Sequence, residues 1–162
     1  MLSLSEKVKQ FVIFRLADET FGLPLENVVE VIRKENITDV PKALAFVEGV
    51  IHLRNRVIPV IDLKKRFNIA EIEREKNSEE DVNSALEKII ITLINKRYVG
   101  LIVDEVYKVI SLDPSNIETP AMGKKTDRAY VKGIAKIDDQ LIVLIDSSKL
   151  LTLEEQSQIE TI

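Results

Sequence analysis

Apolar residues along the chain come in short β-branched runs broken at close intervals by polar turns. Residues 11–16 and 88–94 are two such runs. A polar turn follows each, at 17–20 and 95–97, and then a further strand passes through Gly22 or Gly100. Farther along, residues 49–53 and 57–61 flank Arg54-Asn55-Arg56, and residues 133–137 and 141–145 flank Asp138-Asp139-Gln140. Both stretches read as hairpins, and many short strands with frequent turns point to small barrels. Pro59 interrupts a return strand, which predicts an edge strand or a bulge. Residues 147–160, with Leu150, Leu151 and Leu153 beside Glu154 and Glu155, predict a C-terminal helix. Residues 70–87, rich in Glu, Lys, Asn and Ser, have too few apolar positions to join a core and predict a mobile connection.

The runs repeat. Residues 13–32 align without a gap on 91–110 at an offset of 78, so that Gly22 meets Gly100 and Val28, Val31 and Ile32 meet Val106, Val109 and Ile110. Residues 46–67 align on 130–151 at an offset of 84, so that Gly49 meets Gly133 and Asp62 meets Asp146. Two matches in the same order with nearly equal offsets mark a tandem duplication. The halves are residues 11–69 and 88–151, joined by 70–87 within one domain spanning 1–162.

Composition narrows the chemistry. The chain has 162 residues and no cysteine, which excludes thiol nucleophiles and zinc ribbons and suits a reducing compartment. Net charge is −4, and Lys and Arg are scattered among Asp and Glu, so nucleic acid is not an expected partner. Charges in MLSLSEKVKQ argue against a signal peptide, and no run approaches the length of a membrane span. A soluble cytoplasmic protein without direct membrane insertion is expected.

Nor does any constellation support catalysis. The single histidine, His52, lies within a hairpin strand and reads as a polar-face residue. Gly123-Lys124-Lys125-Thr126 resembles the end of a phosphate-binding loop, but Glu118 stands where that pattern needs glycine. Asp62 and Asp146 each end a strand before a helix-compatible stretch and read as N-caps. Asp104-Glu105 and Asp138-Asp139 read as solvated charge. No catalytic residue, metal site or cofactor is expected.

The stretches FVEGVIHLRNRVIPVIDL and GLIVDEV, with the series around them from about Phe11 to Leu151, resemble the CheW family of chemotaxis coupling proteins. That resemblance implies a mainly β fold of two intertwined, SH3-like five-stranded barrels related by a pseudo-two-fold axis, with short helices and a C-terminal helix. It implies a non-catalytic adaptor that joins chemoreceptor cytoplasmic tips to the regulatory domain of the histidine kinase CheA, recruited to membrane receptor arrays. Carried over by position, Val28, Glu30, Gly49, Arg54 and Val109 match positions associated with receptor coupling. An apolar groove around Val28, Val99, Val103 and Val109 is expected to receive the receptor's amphipathic helix. The loop around Ile117, Glu118 and Met122 is the expected kinase contact. Asn55 departs from the family's usual glycine at that turn, and asparagine tolerates the left-handed geometry.

Comparing the halves adds one observation. Arg54-Asn55-Arg56 corresponds to Asp138-Asp139-Gln140 and Glu30 to Lys108. Packing cannot explain a reversal of charge, so the two barrels are expected to address different partners. Three other readings remain open: a regulatory barrel module of another two-component assembly, an oligonucleotide-binding barrel, and a hydrolase using Asp62 or Asp146.

Overall fold

The computed structural model describes residues 8–69, 85–119 and 129–160. Most of the 70–87 connection, Met122 and the 123–126 run lie outside them.

The strands follow the sequence pattern closely. The first half contributes β1 (Lys9–Leu16), β2 (Glu19–Pro24), β3 (Val28–Arg33), β4 (Val47–Leu53) and β5 (Arg56–Asp62), then a one-turn helix Leu63–Arg66. The second contributes β6 (Lys88–Ile94), β7 (Arg97–Val103), β8 (Glu105–Leu112), β9 (Ile117–Glu118), β10 (Val131–Ile137) and β11 (Gln140–Ile145). Two sheets result, ordered β8-β1-β2-β11-β10-β9 and β3-β6-β7-β5-β4. Neither comes from one half. The β1–β2 hairpin of the first half pairs with β8 and β11 of the second, and the β6–β7 hairpin of the second pairs with β3 and β5 of the first. Residues 11–69 and 88–151 are therefore units of duplication, while each barrel is assembled by exchanging a hairpin. The exchange uses the sheets' parallel pairings, Val60↔Gly100 and its counterpart Leu144↔Gly22.

The repeat extends to the irregularities. Bulges fall at Val29 in β3 and at its equivalent Tyr107 in β8, and again at Glu48 and its equivalent Lys132. The two-residue β9 pairs with β10, and a single bridge, Thr38↔Val50, takes its place in the other sheet. Pro59 differs from the edge strand expected of it. β5 lies between β4 and β7, but its ladder with β7 starts only at Val60, whereas β11 pairs with β2 from Ile142 and includes Val143, the counterpart of Pro59. A proline has no N–H to donate to a ladder, and the strand places it before the two-sided stretch begins.

Each barrel has its own interior. Phe11, Ile13, Ala135, Ile142 and Leu144 fill one, and their repeat equivalents Ile89, Ile91, Ile51, Ile58 and Val60 fill the other. A third, larger cluster lies between the barrels and draws on both, including Phe14, Leu23, Ile61, Phe67, Leu101, Val103, Tyr130 and Ile145. Strands such as β1 and β6 thus bury both faces, which is why they read as continuous apolar runs instead of alternating ones. Phe67 near the end of the first half and Tyr130 just before β10 in the second stack at a centroid distance of 3.9 Å and join the halves.

The C-terminal stretch is two pieces instead of the single helix expected over 147–160. Ser147–Lys149 form a 3₁₀ turn, and the α-helix runs only over Leu153–Glu160. Thr152 restarts it. Its Oγ1 accepts from Glu155 N at 3.1 Å while Glu155 Oε1 accepts from Thr152 N at 2.8 Å, a reciprocal capping box. No helix among the described residues is long and apolar enough to cross a membrane.

Candidate interaction surface

The β4–β5 hairpin turns through only two residues, Arg54 (φ 47°) and Asn55 (φ 65°), with Leu53 paired to Arg56. Two successive positive φ values make the tight turn whose twist matches antiparallel strands. Asn55 takes the left-handed geometry expected of it. Arg54 takes it too, which only the sequence's short, polar turn composition hints at. The turn aims the Arg54 side chain back toward β3, where its guanidinium forms an ion pair with Glu30. Glu30 stands at the β3 bulge, where the register slips past Val29. The pair is largely solvent-exposed on the Arg54 side, so it contributes about 0–1 kcal/mol to stability.

Gly49 lies on the same hairpin, five residues before Arg54, and is not part of the exposed surface. It is buried with φ 146°, and a Cβ there would lie 2.1 Å from the Thr38 carbonyl oxygen. Its contribution is the close approach of residue 38 to β4. On β3, Val28 is half-buried against the inter-barrel cluster, and in the other sheet Val109 on the edge strand β8 is 47% exposed.

The expected groove is corrected at two of its four positions. Val99 and Val103 are 2% and 0% exposed and belong to the cluster between the barrels. β7 is the middle strand of its sheet, with β6 and β5 on either side and apolar layers on both faces, so neither valine reaches solvent. Among the apolar side chains that do emerge are Val29 and Val31 on β3 and Tyr107 and Val109 on β8. Val29 and Tyr107 are the bulged residues, and Val31 and Val109, two positions on, share their exposure.

At the other barrel, Ile117 is half-buried against the interior cluster and Glu118 is exposed on β9. A recess of about 380 Å³ opens beside them, floored by Phe11, Leu112 and Leu144, with Lys9 and Lys132 at its rim.

The polar groups account for themselves structurally. Asp62 Oδ1 accepts from Lys64 N at 2.9 Å and Asp146 Oδ1 from Ser148 N at 3.1 Å, the expected N-caps. Burial raises the Asp62 carboxyl above the usual carboxylate range, against the opposing pull of the Lys64 N–H and ammonium. His52 is exposed on β4, and no group of potential metal ligands occurs among the described residues. Asp104 corrects the expectation of solvated charge. It is buried where the chain crosses from one sheet to the other. Its carboxylate accepts from Ala17 N at 2.7 Å and from Lys64 Nζ at 2.9 Å, tying the β1–β2 turn of one barrel to the helix after β5 of the other.

A family model described as CheW-like domain matches residues 10–155. The chain belongs to the CheW-like family. Among its relatives, the chemotaxis protein CheW of Thermotoga maritima is 31% identical over 153 residues, covering 93% of this chain and 94% of that one. The CheW of Treponema pallidum is 26% identical over 155 residues, 95% of this chain and 88% of the relative. A solved structure, the scaffolding protein TtCheW from Thermoanaerobacter tengcongensis, is 41% identical with a TM-score of 0.76, covering 91% of this chain and 90% of that one. The mainly β, doubly barrelled architecture is thus that of a chemotaxis scaffold family. Glu30 and Arg54 meet at one corner with Val28 on the same strand as Glu30, Val109 is exposed on the edge strand of the other sheet, Gly49 is buried against residue 38, and Val99 and Val103 are buried between the barrels.

Proposed function

We propose that this chain is a non-catalytic adaptor that couples chemoreceptor cytoplasmic tips to the histidine kinase CheA, working in the cytoplasm and recruited to membrane receptor arrays. The observation that carries the reading is the Arg54–Glu30 corner, a charged pair joining the β4–β5 turn to β3 beside the exposed valines of that strand. Apolar side chains bordered by a fixed ion pair suit one face of an amphipathic receptor helix, with affinity from buried area and register from the charges. The kinase's regulatory domain is assigned to the other barrel, at Ile117, Glu118 and the recess beside them, whose apolar floor and lysine rim suit an apolar side chain flanked by carboxylates. Met122 is retained in that assignment on the resemblance alone. No cofactor is required, and each contact can be weak because an array engages several at once.

Arg54→Asp copies the repeat-equivalent residue into a turn of the same geometry. It is expected to unfold within about 0.5 kcal/mol of the parent protein, as exposed substitutions do, and to lose most of its capture by a purified receptor cytoplasmic fragment. Capture equal to the parent's would refute the assignment of this corner, and unchanged binding to the CheA regulatory domain would confirm that the loss is local.

A further inference from the structure

The helix Leu153–Glu160 is lightly held. Only Ile159 of its eight residues is buried, and Leu153 at its start is 85% exposed. The rest of its seating is polar: Arg66 Nη2 donates to Glu155 Oε1 at 3.2 Å, and Arg97 Nη2 pairs with Glu160 Oε1 at 2.7 Å. A helix this short is marginal in water by itself, so docking is what keeps it folded. Leu150 and Leu151, just before it, are buried in the cluster between the barrels, and Leu150 O accepts from Arg66 Nε at 2.7 Å. The chain is therefore pinned up to residue 151 and weakly attached after it.

What the helix covers is larger than what it fills. Recesses of about 310 Å³ and 330 Å³ open beside it, and Ile159 is the one residue their linings share. In the first, Pro59 and Tyr98 stand with Arg56, Lys96 and Arg97; in the second, Val40, Pro41, Ala43, Leu44 and Val47 form an apolar wall beside Lys42. Lifting Ile159 out joins the two into one trough with an apolar bed and a cationic rim. Of the four cations only Arg97 meets an acid of the helix, and among the described residues no acid pairs with Lys42, Arg56 or Lys96. The rim is peculiar to this end of the molecule. Parallel pairing of β5 with β7 gathers the tips 54–56 and 95–97 here, whereas the repeat-equivalent pairing of β11 with β2 gathers the acidic tips 138–140 and 17–19.

We infer that the C-terminal helix is a displaceable strap over a helix-binding trough, and that its replacement is an acidic, amphipathic helix of a partner protein, with apolar side chains on the trough's bed and carboxylates against Lys42, Arg56 and Lys96. The resident helix shows the mode of seating, with one apolar anchor inward and one glutamate on Arg97. A partner with a second anchor and more acids uses what the strap leaves unsatisfied. It has to outweigh the strap's tethering, which for a short link amounts to an effective concentration of about mM. Recognition is of the helix-in-groove kind, and charge complementarity selects an acidic face over a basic one. The trough uses neither the Arg54–Glu30 pair nor the recess at Ile117, so the inference does not rest on the adaptor reading.

Hydrogen exchange on the full chain tests the strap. Amides of residues 156–160 should exchange at least about a hundredfold faster than those of residues 99–101 in β7. Equal protection would mean that the helix leaves only when the whole domain unfolds, and would overturn the inference. Fluorescence anisotropy tests the trough, with a labelled, C-terminally amidated peptide of residues 152–160 carrying Gln156→Leu, an added anchor three positions before Ile159. In the full chain, Glu155→Gln with Glu160→Gln removes both ion pairs, keeps an acceptor for Thr152 N and alters no core side chain; Ile159→Ala removes the anchor. Apparent affinity scales with the fraction of open molecules, so the peptide should bind each of these at least about tenfold tighter than the parent. Arg97→Glu, added to the double variant in which Arg97 has no pair left to lose, should abolish most of that gain. A peptide with lysine in place of each glutamate should not bind. A peptide that binds none of the proteins, equal affinity for parent and variants, a gain indifferent to Arg97→Glu, or equal binding of the lysine peptide would each overturn the inference.

Discussion

Replacing Gly49 by alanine separates a surface role for this residue from a positioning one. An L-residue held at φ 146° costs about 1–3 kcal/mol. The added Cβ would sit 2.1 Å from Thr38 O and 2.8 Å from Thr38 C, and both are backbone atoms that cannot rotate away. Residue 38 must withdraw, which endangers the bonds Thr38 N→Val50 O (2.8 Å) and Val50 N→Thr38 O (2.9 Å), each worth about 0.5–1.5 kcal/mol. Together the expected loss is about 2–6 kcal/mol, a large share of the 5–15 kcal/mol that a typical domain possesses. Urea unfolding at constant m-value measures it. Gly133→Ala is the internal control. There the nearest obstacle is a side-chain atom, Ile117 Cγ2 at 2.6 Å, and the φ is not in the left-handed region, so its cost should be clearly smaller. Gly49→Ala unfolding within about 0.5 kcal/mol of the parent, or Gly133→Ala costing as much, would refute the reasoning; a surface role would instead lower receptor capture at unchanged stability.

Three further substitutions probe Asp104 and Asp62. Asp104→Ala strands the Ala17 N–H and the Lys64 ammonium and should cost about 2–4 kcal/mol in urea unfolding, whereas Asp104→Asn, which keeps an acceptor for Ala17, should cost about half of that. Equal losses would mean that the charge, not the hydrogen bond, holds the joint. Asp62 titrates the other way from most paired acids. Because its folded pKa is raised, the folded state holds the proton more tightly, so its contribution is fully present below the unfolded value of 3.8 and is lost as pH rises through the folded value. Asp62→Asn keeps the cap acceptor and should therefore gain stability relative to the parent at pH 7, the gain shrinking toward zero as pH approaches 3.8. A gain that is independent of pH would refute burial as the cause.

Much of this molecule was legible along the chain. Hairpins 49–61 and 133–145, the paired glycines, the N-caps at Asp62 and Asp146 and the left-handed Asn55 all depend on residues within a few positions of each other. The T-x-x-E signal at Thr152 and Glu155 was equally local and would have placed the last helix correctly. What failed to show were facts about neighbours far apart in sequence. Val99 and Val103 look like any strand valines until β5 and β6 flank β7. Asp104 looks like a turn acid until residues 17 and 64 converge on it.

Local pattern therefore determined which segments extend, where they turn, and that the design is used twice. Because the halves share one alternation, a β1–β2 hairpin satisfies its own half or the other equally well by pattern alone. Only the assembled structure decides between them, through the parallel pairings and the shared apolar layer that the exchanged arrangement buries. The reversal of charge between the hairpin tips is written in the sequence, but its gathering into one basic and one acidic end is a consequence of that exchange.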